Sequence, residues 1–204
     1  MNFGLAYILY ILPYKISINL WAFHAVQAIA SPALTAVMSV LSKSFLVVLP
    51  ILVLYLYLRK NNNVYSFVIA GILLFIVSDL IKIITKEPRP CNIAELSWIN
   101  HIACENTFSF PSNHASVLTG LVLFLGKHKY VRVLYIAWLA LILFGRIYLG
   151  LHYFTDVIVG MAISIAISAI ILHYKDRINK ASNRIVRIIM PALALKEHAE
   201  QKTK

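Results

Sequence analysis

Three short segments of this chain carry residue types at spacings that could do chemistry. The first is Lys82-Ile-Ile-Thr-Lys-Glu-Pro-Arg89-Pro90, and the second is Phe110-Pro111-Ser112-Asn113-His114. The third runs from Gly145-Arg146 through His152 to Asp156. Lys82, Arg89 and Arg146 can clamp a tetrahedral dianion, Arg through planar bidentate bonds and Lys as a point charge. Ser112, Asn113 and His114 precede an apolar run. A helix starting there aims backbone N–H groups outward, and such a terminus binds phosphate. His152 and Asp156 share one face if a helix begins near His152. A carboxylate on one imidazole nitrogen fixes the tautomer and leaves the other nitrogen to attack. His114 is then available as general acid for the leaving oxygen. Together these describe phosphoryl transfer through a covalent phosphohistidine. No His pair has the spacing of a recognised zinc motif, so neither a metal site nor a cofactor is expected.

The elements that position these residues follow from composition. Of 204 residues, 60% are apolar and 13% charged, and the mean hydropathy is +0.78. Soluble domains are about 45–50% apolar and about 25% charged, so a disordered chain or a soluble domain is excluded. Runs such as FLVVLPILVLYLYL do not alternate, which excludes an outer-membrane barrel. The expected fold is all-α, a polytopic transmembrane helical bundle. At about 20 residues per span the apolar content allows roughly six crossings. Five spans are predicted at about 44–58, 64–84, 115–126, 131–150 and 156–174. Ser31-Pro32 reads as an N-cap followed by a first-turn proline, opening a helix that runs into the first of these. Residues 1–30 form either a sixth span or interfacial helices. The N-terminus lacks the basic region of a signal peptide, so no cleavage is expected. The chain reads as one domain: N-terminal helices over 1–41, a catalytic core over 42–174 and a basic tail over 175–204.

The formal net charge is +11. In a soluble protein that excess points to nucleic acid, but here the basic residues sit between spans and report topology. Arg59 and Lys60, then Lys127, Lys129 and Arg132, then Lys175 to Arg187 fall on one side, which is predicted to be cytoplasmic. The tail reads as an amphipathic helix on anionic lipid. The opposite side holds the connection from about 85 to 111 and the turn near 150–156, so all three chemical segments converge there. Lys82, Lys86, Arg89 and Arg146 are the notable cations of that side. Asp79 or Glu87 is expected to pair locally with motif cations. Lys86 is either a headgroup contact or an interfacial lysine. Cys91 and Cys104 are either two thiols or a disulfide stabilising by about 3 kcal/mol. Trp98 and Phe108 read as interfacial belt residues. His24, His101, His128, His173 and His198 lie outside the motifs and are expected to be structural or solvated.

The pattern Lys-x6-Arg-Pro, Pro-Ser-x-His, Arg-x5-His-x3-Asp over about 82–156 resembles the type 2 phosphatidic acid phosphatase superfamily. That superfamily includes membrane lipid phosphatases and soluble vanadium haloperoxidases. The wording around Glu87-Pro-Arg-Pro90, Phe110 to His114 and Arg146 to Asp156 looks closest to its undecaprenyl-diphosphatase branch. The resemblance implies that Lys82, Arg89 and Arg146 bind phosphate, with Ser112 and the Asn113 amide. It implies His152 as nucleophile, Asp156 as its partner and His114 as the acid. Asn113 stands where the family often has Gly, and Gly145 where it often has Ser, removing a hydroxyl. The implied activity is hydrolysis of a polyprenyl diphosphate to the monophosphate on the outer face of the cell membrane, with a lipid phosphate and the bilayer as partners and no nucleic acid. Phosphatidate or phosphatidylglycerol-phosphate hydrolysis, phosphate transfer to a second lipid, and a non-catalytic lipid-phosphate transporter or binder are the alternatives.

Overall fold

The computed structural model describes residues 17–61, 63–93, 96, 104–182 and 184. Its helices are α1 (Ser17–Gln27), α2 (Pro32–Lys43), α3 (Phe45–Leu58), α4 (Val64–Thr85), α5 (Asn113–Leu121), α6 (Lys129–Tyr148) and α7 (Phe154–His173). Short 3-10 turns cover Pro90–Asn92 and Val122–Leu125. The predicted spans therefore match α3 to α7 to within a few residues. Ser31 does cap α2, its Oγ accepting from Leu34 N at 3.2 Å with Pro32 in the first turn.

The count of six crossings is not confirmed. Three helical stretches among the described residues are long and apolar enough to span: Val64–Asn92, Lys129–Tyr148 and Phe154–His173. The pair α1 and α2 is bent by 116° and counts as at most a fourth. Lys43-Ser44 divides the next apolar run, so α3 keeps 14 residues. At 1.5 Å per residue that is about 21 Å, short of a hydrocarbon core of about 30 Å.

Small residues make the central crossing. A Cβ at Gly120 of α5 would collide with Ser168 and with the Ser164 carbonyl of α7. One at Gly160 of α7 would meet Ala115 at 2.9 Å and the Ser112 carbonyl at 3.0 Å. Bare backbones can approach closely, which is how helices associate where lipid removes the hydrophobic drive. The Ser164 hydroxyl accepts from Gly120 N at 2.7 Å across the same contact. The crossing sets the N-terminus of α5, with Ser112 to His114, against that of α7, with Asp156.

Polar side chains seal the α1–α2 bend to the core. Buried Asn19 of α1 accepts from Thr155 N at 3.1 Å and donates to Thr155 Oγ1 at 3.2 Å, holding the first turn of α7. The buried Tyr148 hydroxyl accepts from Ser31 N at 3.1 Å, and Gln27 Nε2 donates to the Tyr148 carbonyl at 3.0 Å. Gly145 faces Met38 of α2, whose Sδ would lie 3.4 Å from an added Cβ. The missing side chain thus shapes the α2–α6 contact. After α7, residues 175–182 are helical. They lean on α4, Ser66 Oγ donating to Asn179 Oδ1 at 3.1 Å. The rest of the predicted tail from 185, residues 1–16, Trp98, His101 and His198 lie outside the described residues.

Candidate active site

Each motif segment sits where a helix ends or begins. Lys86 stops α4 in the left-handed conformation at φ 48° and is exposed, and three residues on Arg89 is buried. Gly150 takes φ 63°, a value that favours glycine, and reverses the chain after α6. The turn is closed by Leu151 N and His152 N, which both donate to the Arg146 carbonyl at 3.1 and 3.2 Å. Arg146 and His152 are thereby fixed to one another through the backbone. Helix α7 begins at Phe154, so His152 precedes it and the two do not share a helical face as predicted. The reason is that Asp156 caps the helix: its Oδ2 accepts from Tyr153 N at 3.0 Å.

His152 is 1% exposed and Asp156 is fully buried. Arg89 NH1 lies 3.1 Å from His152 Nε2. Arginine only donates, so Nε2 holds the lone pair and Nδ1 carries the proton. Nδ1 lies 3.6 Å from Asp156 Oδ2 and 3.5 Å from Ser109 Oγ. The Ser109 hydroxyl donates to the same Oδ2 at 2.5 Å. Burial holds the His152 imidazole well below its ordinary pKa, outweighing the hydrogen bond to Asp156, so the ring is neutral.

Two guanidinium groups flank this imidazole, both about 2% exposed. Arg89 donates to the Leu151 carbonyl at 2.7 Å and to Thr107 O and Oγ1 at 2.8 and 2.7 Å. Arg146 NH1 donates to Ser42 Oγ at 2.9 Å. The two share Glu105, whose Oε2 takes Arg89 NH2 and whose Oε1 takes Arg146 NH2, each at 2.7 Å. Burial pushes the Glu105 carboxyl up, but both arginine charges and the Arg146 hydrogen bond overcome this and hold it at about 2.

His114, Asn113, Arg89, Arg146, His152 and Glu105 line one cavity of about 480 Å³. The cavity continues between α3, α4 and α5 as an apolar groove past Phe45, Val53, Gly71 and Leu121. His114 Nε2 lies 3.2 Å from the Ser42 carbonyl. A carbonyl only accepts, so this nitrogen is protonated, and in the neutral ring Nδ1 holds the lone pair. The Ser112 hydroxyl is fully buried and has no hydrogen-bond partner among the described residues, as has Arg146 Nε. A larger cavity of about 770 Å³ lies at the far ends of α3, α4 and α7, near Lys60, Asp176 and Lys180. It has no histidine in its lining.

The structure does not bring every motif residue to the cavity wall. Lys82 is buried, and its Nζ donates to the Phe108 and Ser109 carbonyls at 2.7 and 3.1 Å. It thereby clamps the segment that carries Ser109. The Asn113 side chain turns toward α4, donating to Asp79 Oδ1 at 2.8 Å and accepting from Ser78 at 2.7 Å. Its backbone amide is the part at the helix start. The pairing predicted for Asp79 or Glu87 with the motif cations falls, for both arginines, to Glu105. Cys91 and Cys104 form a disulfide with Cα atoms 5.9 Å apart. Glu105, Ser109, Thr107 and Ser42 were not singled out from sequence. Ser109 directly precedes the second motif and Glu105 follows a cysteine, which are weak signals. Ser42 offers none beyond being polar near the end of an apolar helix.

An all-helical membrane bundle with two histidines and two buried arginines around one cavity matches known proteins. The PAP2 superfamily model matches residues 63–180, and the chain belongs to that superfamily. It is 27% identical over 115 residues to an undecaprenyl-diphosphatase of Sulfolobus acidocaldarius. That match covers 55% of each chain, so this chain spans about half the length of that curated relative. The fold resembles the crystal structure of Aquifex aeolicus LpxE, with a TM-score of 0.68 and 25% identity over 77% of this chain and 96% of that one. It also resembles a transmembrane PAP2-type phosphatidylglycerolphosphate phosphatase from Bacillus subtilis, with a TM-score of 0.62 and 22% identity over 87% and 98%.

Proposed function

We propose that this chain is an integral membrane lipid phosphatase that cleaves a polyprenyl diphosphate of the undecaprenyl type to the monophosphate and inorganic phosphate. The observation that carries this is the state of His152: neutral, with its Nε2 lone pair directed at a buried guanidinium and its Nδ1 proton toward Asp156 and Ser109. A binder has no need of such an oriented nucleophile. In the reaction Nε2 attacks the terminal phosphorus, and a P–N bond forms as the bond to the bridging oxygen breaks. His114, holding a second proton on Nδ1 once the anionic substrate is bound, gives that proton to the oxygen, and the lipid monophosphate leaves. Water then attacks the phosphohistidine with His114 taking its proton, and inorganic phosphate is released. Arg89, Arg146, the orphaned Ser112 hydroxyl and the Asn113 amide stabilise the transferring oxygens. Lys82 adds charge from behind. These groups do the work often given to a divalent ion, so the reaction is read as metal-independent.

The apolar groove next to the cavity suits a lipid tail, and the diphosphate substrate is supported by the named relative and the motif wording. In this reading residues 42–174 form the catalytic core, the site faces the outer side of the cell membrane, and the C-terminus is cytoplasmic. The test is phosphate release by purified protein from a C55 diphosphate, phosphatidate and phosphatidylglycerol phosphate in one detergent. Fastest turnover on the C55 diphosphate is expected. Faster turnover of either glycerolipid reassigns the substrate, and no release from any of them removes the enzyme reading.

A further inference from the structure

Glu105 has no part in the chemistry above, yet its carboxylate holds both arginines at once, one oxygen to each, at 2.7 Å. Carboxylate and phosphate are recognised by guanidinium groups in the same bidentate way. Glu105 therefore stands where two oxygens of the transferring phosphate belong. It approaches from the open side: its side chain is 42% exposed, against 2% for either arginine. Its place is set by covalent structure. Cys104 adjoins it in sequence and is bonded to Cys91, two residues after Arg89. Cys91 N is in turn anchored to the Gly150 carbonyl at 3.1 Å, in the turn that carries His152. The carboxylate is also an incomplete occupant. It leaves Arg146 Nε, on a side chain that lines the cavity, without a partner among the described residues.

Taking the phosphate-site reading as its basis, we propose that Glu105 is a tethered competitor for the phosphoryl site, held there by the Cys91–Cys104 disulfide, and that it selects for terminal phosphates. A short tether gives a group an effective concentration on the order of millimolar or above. A singly charged phosphodiester, the headgroup chemistry of bulk phospholipid, brings no more charge than the carboxylate it must displace. A terminal phosphate or diphosphate brings two or more negative charges and an oxygen to spare for the orphaned Arg146 Nε. It displaces Glu105, and bulk lipid does not. After hydrolysis the carboxylate returns and helps expel inorganic phosphate, a dianion that the same two arginines hold.

The experiment measures inhibition of C55 diphosphate hydrolysis by inorganic phosphate and by phosphatidylglycerol in mixed micelles. It compares the wild-type chain, Glu105→Gln, Glu105→Ala, and the wild type after reduction of its disulfide. Both variants are expected to bind inorganic phosphate at least tenfold more tightly and to become sensitive to phosphatidylglycerol. The reduced wild type moves the same way by a smaller factor. Phosphate affinity within twofold of wild type in both folded variants overturns the proposal. Isothermal titration with inorganic phosphate alone separates it from the reading it rests on. A chain that hydrolyses no lipid phosphate, yet gains phosphate affinity in Glu105→Gln, upholds the competitor and removes the phosphatase.

Discussion

Replacing Asp156 by Asn isolates one charge. Two donors converge on Asp156 Oδ2, the Tyr153 N–H and the Ser109 hydroxyl. An asparagine must put its oxygen there, because its NH₂ group would face two donors. The Tyr153 N–H then keeps an acceptor at the third position of α7, so the reciprocal contact that starts the helix survives, and His152 keeps its proton on Nδ1. Only the negative charge 3.6 Å from Nδ1 is lost. That charge matters when the imidazole becomes cationic on bonding to phosphorus. At an effective dielectric of about 20, unit charges at this distance attract by about 4.6 kcal/mol, or about two-thousandfold in rate. Asp156 does not touch the phosphate, so the loss falls on kcat while KM stays the same or drops. Single-turnover hydrolysis of a C55 diphosphate, beside a melting curve in the same detergent, measures both. Ser109→Ala leaves the charge in place and costs no more than about tenfold. An Asp156→Asn protein within tenfold of wild type would show that this carboxylate only caps α7, and the proposed role for the pair would fail.

Other outcomes follow from the same geometry. His152→Ala abolishes phosphate release with its melting temperature little changed, and trapping with labelled substrate finds no phosphoprotein. A chelator leaves the rate unchanged, and vanadate inhibits competitively with the lipid diphosphate. Stability falls as pH drops below about 6.5, because the unfolded chain protonates His152 there and the folded chain, with its pKa depressed, does not. The slope is up to about 1.4 kcal/mol per pH unit for that one proton, read from melts between pH 5 and 7. Gly120→Val forces α5 off α7 against the Ser164 carbonyl and Ser168, and is expected to unfold the protein or lower its melting temperature by several degrees.

The helices were legible in the sequence because lipid imposes a long uniform period, and a proline or a capping serine marks where it starts. Ser31-Pro32 and Pro111-Ser112 both announced helix starts in this way. What stayed hidden was whether apolar runs join or break. Lys43-Ser44 looks like an ordinary edge, yet it separates α2 from a 14-residue α3. The α1–α2 bend depends on Tyr148 and Gln27, far apart in sequence. In the site, motif spacing located His114, Arg89, Arg146 and His152 around one cavity. It did not reveal that Asp156 serves first as a helix cap, nor that Lys82 binds two carbonyls. The largest omission was Glu105, which lies in a loop with no period and no motif. Only the disulfide and the fold bring it to the arginines.

The arrangement also explains how such a site can exist before substrate arrives. Three cations that are each no more than 3% exposed are costly in a low-dielectric interior unless each has partners. Lys82 has two carbonyls, Arg89 and Arg146 divide one carboxylate, and Asp156 adds a second negative charge close by. Most of the desolvation is therefore incurred on folding. A phosphoryl group that enters exchanges one anion for another between guanidinium groups already in position, so little reorganisation is needed when charge develops on the transferring oxygens. The exchange also fixes where selectivity lies. On the proposed reading, the arginines recognise any anion of suitable shape, and the carboxylate between them sets how strongly an anion must bind before it comes within reach of His152.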